Sequence, residues 1–118
     1  MFHRADGAAA MARLLDGPEP PDAVFCFNDV LALGAIRTLL ERGLRVPGDV
    51  AVIGFDDIED GRFSTPTLST IAPNLRRIAE LAVDLLAERL GEGAAVTAAP
   101  RELRVSHRLV ARESTLGR

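Results

Sequence analysis

A chain of 118 residues, 47% apolar and 26% charged, has the makings of one modest soluble core and of a single domain. Its formal net charge of −3 argues against a chain that itself coats nucleic acid or an anionic membrane. All fourteen basic residues are Arg, Cys26 is the lone cysteine, and His3 and His107 are far apart in sequence, which excludes lysine chemistry, a disulfide framework and a metal site.

The charge is uneven. Five Arg stand against eleven Asp/Glu up to residue 60, and nine Arg against six beyond it, so a polar ligand pocket is expected in the acidic half. No apolar stretch approaches the roughly 18 residues of a membrane span, and no signal-peptide pattern opens the chain. A cytoplasmic, soluble protein without cofactors is the expectation.

Segment 5–17 has helical spacing, with Asp6 as cap, Ala8, Met11, Leu14 and Leu15 on one face, and Gly17-Pro18 as the stop. Ala23 to Phe27 is an unbroken apolar run, suited to a strand buried on both faces. Val30 to Arg42 returns to helical spacing through Leu33, Ile36, Leu39 and Leu40, with Gly43 at the C-terminal position. Gly34 inside that helix suggests a close approach to the sheet. A second buried strand is expected at Val50–Gly54, an irregular stretch at 58–66 and a third extended piece at 68–71.

Pro73 and Asn74 open a helix over 75–90, with Ile78, Leu81, Ala82, Leu85 and Leu86 inward and Arg76 and Arg77 on the solvated face. A Gly/Ala linker follows at 91–100. Its Gly91-Glu92-Gly93 trails a helix instead of opening one, the wrong geometry for a phosphate loop. Residues 101–112 alternate as a strand, with Leu103, Val105, His107 and Leu109 packed on one side.

Strand–helix–strand order with short connections implies parallel strands, in an α/β fold whose sheet is flanked by helices. Ligands in such sheets sit at the carboxyl ends of strands. Two strands end there in polar residues, Asn28-Asp29 and Asp56-Asp57. Asn28 offers a donor and an acceptor and Asp56 offers acceptors, a pair able to hold vicinal hydroxyls. The same residues could instead cap the next helix and shape a turn. A phosphoacceptor site of the receiver type would need a lysine, which the chain lacks. Cys26, within an apolar run and without a base partner, reads as an inert thiol. No nucleophile–base pair is present, so an enzyme is not expected.

The stretch FNDVLALGAIRTLLERGLRVPGDVAVIGFDDIEDGRFSTPTLSTI, residues 27–71, closely resembles the lactose/galactose-repressor family of bacterial regulators, and HRLVARES, residues 107–114, resembles that family's closing strand. The resemblance runs from about Asp6 to Ser114. It implies two similar lobes of the periplasmic-binding-protein type, with an effector bound between them that alters affinity for operator DNA. Residues 1–71 would belong to the second lobe, and 72–118 would return largely to the first, crossing near Ala72-Pro73. The helix-turn-helix domain, the hinge helix and most of the first lobe would lie outside these residues.

Carried over by position, Asp56 and Asn28 match effector contacts of the second lobe. Pro73 stands where family members often place a polar residue. Leu33, Arg37 and Phe63 match the surface through which the family forms homodimers. A sugar or related small molecule is the implied effector, with operator DNA reached only through the missing N-terminal domain. The alternative is a periplasmic-type sugar-binding protein of a transport system.

Overall fold

The computed structural model describes residues 2–91 and 99–116. Its elements in order are α1 (Arg4–Leu15), β1 (Ala23–Phe25), α2 (Asp29–Glu41), β2 (Ala51–Phe55), α3 (Asp60–Phe63), β3 (Ser69–Pro73), α4 (Leu75–Gly91) and β4 (His107–Val110). The strands lie in the order β1-β2-β3-β4. β1 pairs parallel with β2, Ala23 opposite Ala51, and β2 pairs parallel with β3, Gly54 opposite Thr70. The expected α/β fold with a parallel sheet and flanking helices is borne out.

The chain divides into two compact units, one of residues up to Ala72 with those from Arg108 onward, the other Pro73–His107. In the first unit Met11 of α1, Ala32, Ala35, Ile36 and Leu39 of α2, Val50 and Val52 of β2, and Leu68 form a buried apolar cluster. Asn28 caps α2 by accepting the Leu31 N–H at 2.8 Å, and Gly43 closes it with φ of 74°, as its position after the last helical turn predicts.

Two glycines bring α1 and α2 together. A Cβ on Gly34 would stand 1.9 Å from the Arg4 carbonyl oxygen, and one on Gly7 would stand 2.1 Å from that of Leu31. Gly34 thus makes room for α1, not for the sheet as its place in the apolar pattern suggests. The glycine that allows helix–sheet contact is Gly54, whose added Cβ would meet the Asp29 carboxylate at 2.2 Å. Close packing at Gly7 also rotates α1. Gly7 and Met11 are its buried residues, while Leu14, expected inward, is exposed.

Several other expectations are corrected. His3, not Asp6, is the N-cap of α1; Asp6 sits at the third position and accepts the His3 N–H at 2.9 Å, completing a capping box. β1 is not buried on both faces: it is the edge of the sheet, with Ala23 and Phe25 exposed and Phe27 beyond it 80% exposed. An apolar cleft of about 170 Å³, lined by Met11, Leu14, Val24, Phe27 and Leu31 among others, opens beside it. The 58–66 stretch is not wholly irregular, because α3 forms within it.

In the second unit α4 has no buried residue; Leu81 and Leu85 are half-buried, and Ile78 and Leu86 are exposed. The final strand is shorter than its alternating pattern, and His107 and Leu109 within it are exposed and not packed. The alternation satisfies a strand's geometry, but packing needs an opposing surface, and among the described residues none buries this face of β4. Most of the 91–100 linker lies outside the described residues.

Candidate functional site

The strongest polar constellation lies at the carboxyl end of β2. Asp56 and Asp57, directly after the strand, both have positive φ, 113° and 55°. Non-glycine residues seldom adopt such φ, and a residue held there stores about 1–3 kcal/mol of strain that its surroundings must over-determine. The surroundings do so. The Asp56 N–H donates to the Ile71 carbonyl at 3.0 Å, the Asp57 N–H meets Thr70 Oγ1 at 3.4 Å, and the Ile58 N–H donates to Asp29 Oδ2 at 2.9 Å.

The two aspartates face different tasks. Asp57 is tied into the fold: Arg112 donates to its Oδ1 at 2.6 Å and Arg62 to its Oδ2 at 3.0 Å. Burial pushes its carboxyl up, but the hydrogen bonds and charges of Arg112 and Arg62 outweigh burial and hold it below the usual carboxylate range. Asp56 is half-buried, and its carboxylate accepts no hydrogen bond among the described residues. Burial alone raises its pKa. A partly desolvated carboxylate without a protein partner is an acceptor in wait of a donor.

Asn28 comes to the same end of the sheet, since β1 and β2 run parallel in direct register. Its side-chain oxygen is committed to the helix cap, which leaves the amide nitrogen as the group free to meet a ligand. Leu33 is half-buried against the core, whereas Arg37, which bonds Glu41, and Phe63 are exposed. Cys26 is half-buried; burial, then the Asp29 charge, pushes its thiol up to about 11, so it stays protonated and unreactive at neutral pH.

Sequence spacing placed Asp29 at a strand end as a polar or capping residue but did not show that it is buried across the sheet. It is fully buried at the start of α2, lies over Gly54 and accepts from Thr70 Oγ1 at 2.6 Å. Burial raises its pKa, with the Thr70 and Ile58 hydrogen bonds opposing and the charges of Asp56 and Asp57 adding to the rise. The signal for that burial was a glycine inside a buried strand, which marks a close approach.

The closing tail was missed as well. Ser114 Oγ donates to the Val52 carbonyl at 2.6 Å and accepts from the Ser69 N–H at 2.8 Å, while the Val52 N–H donates to the Ser114 carbonyl. Arg112 Nη1 donates to the Leu68 carbonyl at 2.9 Å while its other nitrogen holds Asp57. The tail thereby reaches the turn that carries Asp56.

A family model for periplasmic binding protein-like domains matches residues 2–115. The HTH-type transcriptional repressor PurR of Haemophilus influenzae is 51% identical over 89 residues, 75% of this chain and 26% of that protein. A transcriptional regulator of the LacI family from Sanguibacter keddieii superposes with a TM-score of 0.91 at 50% identity, covering 99% of this chain and 44% of its own. A LacI-family regulator from Arthrobacter sp. FB24, solved with lactose, superposes at 0.81 with 38% identity, over 96% and 41%. The chain thus spans about a quarter of the curated relative and under half of the solved neighbours. It belongs to the periplasmic-binding-protein-like domain family, as part of the effector domain of a lactose/galactose-repressor-type regulator.

Proposed function

We propose that this chain is the effector-sensing part of a bacterial transcriptional repressor, in which a sugar or related polyol binds between two lobes and changes affinity for operator DNA. The observation that carries this is Asp56: a half-buried carboxylate with no hydrogen-bond partner among the described residues, on a strained turn at the carboxyl end of a parallel strand. The Asn28 amide supplies a donor from the adjacent strand end, so the two accept from and donate to neighbouring hydroxyls. The neighbour solved with lactose supports a sugar. The break at Ala72/Pro73 supports assigning Pro73–His107 to the other lobe. DNA contact belongs to a part of the protein outside this chain, whose net charge of −3 offers phosphates little attraction, and the protein works in the cytoplasm.

Calorimetry on the full-length protein with lactose and with ribose tests this reading. Asp56→Asn tolerates positive φ but removes the charge, and should weaken binding by about 1.5–3 kcal/mol, the worth of a hydrogen bond to a charged group. Unchanged affinity would assign Asp56 to turn structure alone.

We further propose that copies pair through the face bearing Leu33, Arg37 and Phe63. Phe63 is 79% exposed, and an aromatic ring left in water is a natural interface anchor. Phe63→Ser should shift the full-length protein toward monomer in light scattering without changing its helical content. A mass unchanged at micromolar concentration would place the dimer surface elsewhere.

A further inference from the structure

We propose that Asp29 and Thr70 are positioning residues that hold the Asp56–Asp57 turn in its strained conformation and so set where the Asp56 carboxylate is presented. This rests on the reading of Asp56 as the effector contact. Three elements are locked together by one carboxylate. Asp29, from the first turn of α2, crosses β2 at Gly54, where any side chain would collide with Oδ1 at 2.2 Å. Beyond Gly54 it meets Thr70, the residue paired with Gly54 on β3, at 2.6 Å.

Its other oxygen takes the Ile58 N–H at 2.9 Å, and Thr70 Oγ1 lies 3.4 Å from the Asp57 N–H. The Thr70 hydroxyl donates to Asp29 and receives the Asp57 amide, a single relay from the helix to the turn. Asp29 and Thr70 are both fully buried, so neither can touch the effector itself. Their route to affinity is through the backbone of residues 57 and 58. Asp56 stands one residue before that pinned segment and directly after a strand residue, Phe55, held opposite Ile71. Fixed on both sides, the turn cannot relax to ordinary φ, and the Asp56 carboxylate, without a hydrogen-bond partner among the described residues, stays presented at the end of the sheet.

The test uses Thr70→Val, which keeps shape and strand preference while deleting the hydroxyl, together with Asp29→Ala and the conservative Asp29→Asn. Amide hydrogen exchange is followed at Asp57 and Ile58, with Val52 and Ile53 of β2 as internal controls. Thr70→Val and Asp29→Ala should speed exchange at 57 and 58 by about tenfold, the worth of about one hydrogen bond, with the β2 amides unchanged. Asp29→Asn, which still offers an oxygen to Ile58, should restore most of the protection there. In the full-length protein, Thr70→Val should weaken binding of lactose or ribose by the same factor by which Asp57 and Ile58 lose protection.

Exchange that rises equally at the β2 amides would show a merely structural role and overturn the proposal; so would unchanged exchange at 57 and 58. Should Asp29→Ala fail to fold, Thr70→Val alone decides. The two readings fail separately. Asp56→Asn should weaken sugar binding as stated above while leaving exchange at 57 and 58 slow. If neither sugar binds the parent protein, the effector reading falls for sugars, and the exchange result still decides whether Asp29 and Thr70 hold the turn.

Discussion

Helices α2 and α4 carry similar apolar periodicity and end in different worlds. α2 buries seven of its residues, and its Thr38 hydroxyl reaches the Ala8 carbonyl of α1 at 3.1 Å. α4, longer by four residues, buries none. The difference is one of partners. α2 faces the sheet on one side and α1 on the other, with Gly7 and Gly34 removing the side chains that would hold the two helices apart. Among its described residues, the unit that contains α4 has no second layer that buries Ile78, Leu81 and Leu86. An amphipathic stripe states a demand for cover; only the fold shows whether it is met.

Both units carry exposed ion pairs, but among the described residues the buried polar interactions fall in the first. The first unit contains the buried Asp29–Thr70 hydrogen bond and the nearly buried Arg112–Asp57 pair, with side chains 17% and 9% exposed. The second holds the ion pairs Arg76–Glu80, Arg77–Glu80 and Arg101–Glu88, all solvent-exposed. Exposed pairs contribute at most about 1 kcal/mol and are screened by salt, whereas breaking a buried pair leaves a charge without a partner.

The largest test of this contrast is a pair of leucines. Leu39, in α2, is fully buried, and Leu39→Ala in this chain should cost about 2–5 kcal/mol in urea denaturation through lost transfer energy and the cavity left behind. Leu86, in α4, is 59% exposed, and Leu86→Ala should stay within about 0.5 kcal/mol. Equal losses would mean that α4 is covered as fully as α2.

A smaller effect separates the carboxylates and also depends on pH. Asp57→Asn keeps the shape and tolerates the positive φ, and should lose about 1–2 kcal/mol at neutral pH. The sign follows from its depressed folded pKa: the contribution is fully present above the unfolded value of 3.8 and is lost as pH falls through the folded value. Parent and variant stabilities should therefore converge in acid. Glu88→Gln, which removes the exposed partner of Arg101, should leave stability nearly flat across the same range. A difference between Asp57→Asn and the parent that persists unchanged in acid would show that the pairing with Arg112 does not carry it.

Local chemistry was enough to give the α/β order, the carboxyl-end placement of Asn28 and Asp56, the glycine stop at Gly43 and, through the run of residues 27–71, the family. These rest on neighbours in sequence: caps, turns and periodicity act within a few residues. Only the tertiary structure decided that Asn28 gives its oxygen to a cap, that the Asp57 carboxylate is bound into the fold while that of Asp56 has no hydrogen-bond partner among the described residues, that Gly34 serves α1, and that Asp29 and the closing tail hold the turn. The Asp29–Thr70 bond joins residues 41 apart and the Asp57–Arg112 pair residues 55 apart. No spacing rule reaches so far, because whether two side chains meet depends on which strands pair, in which register, and on whether a glycine leaves room between them.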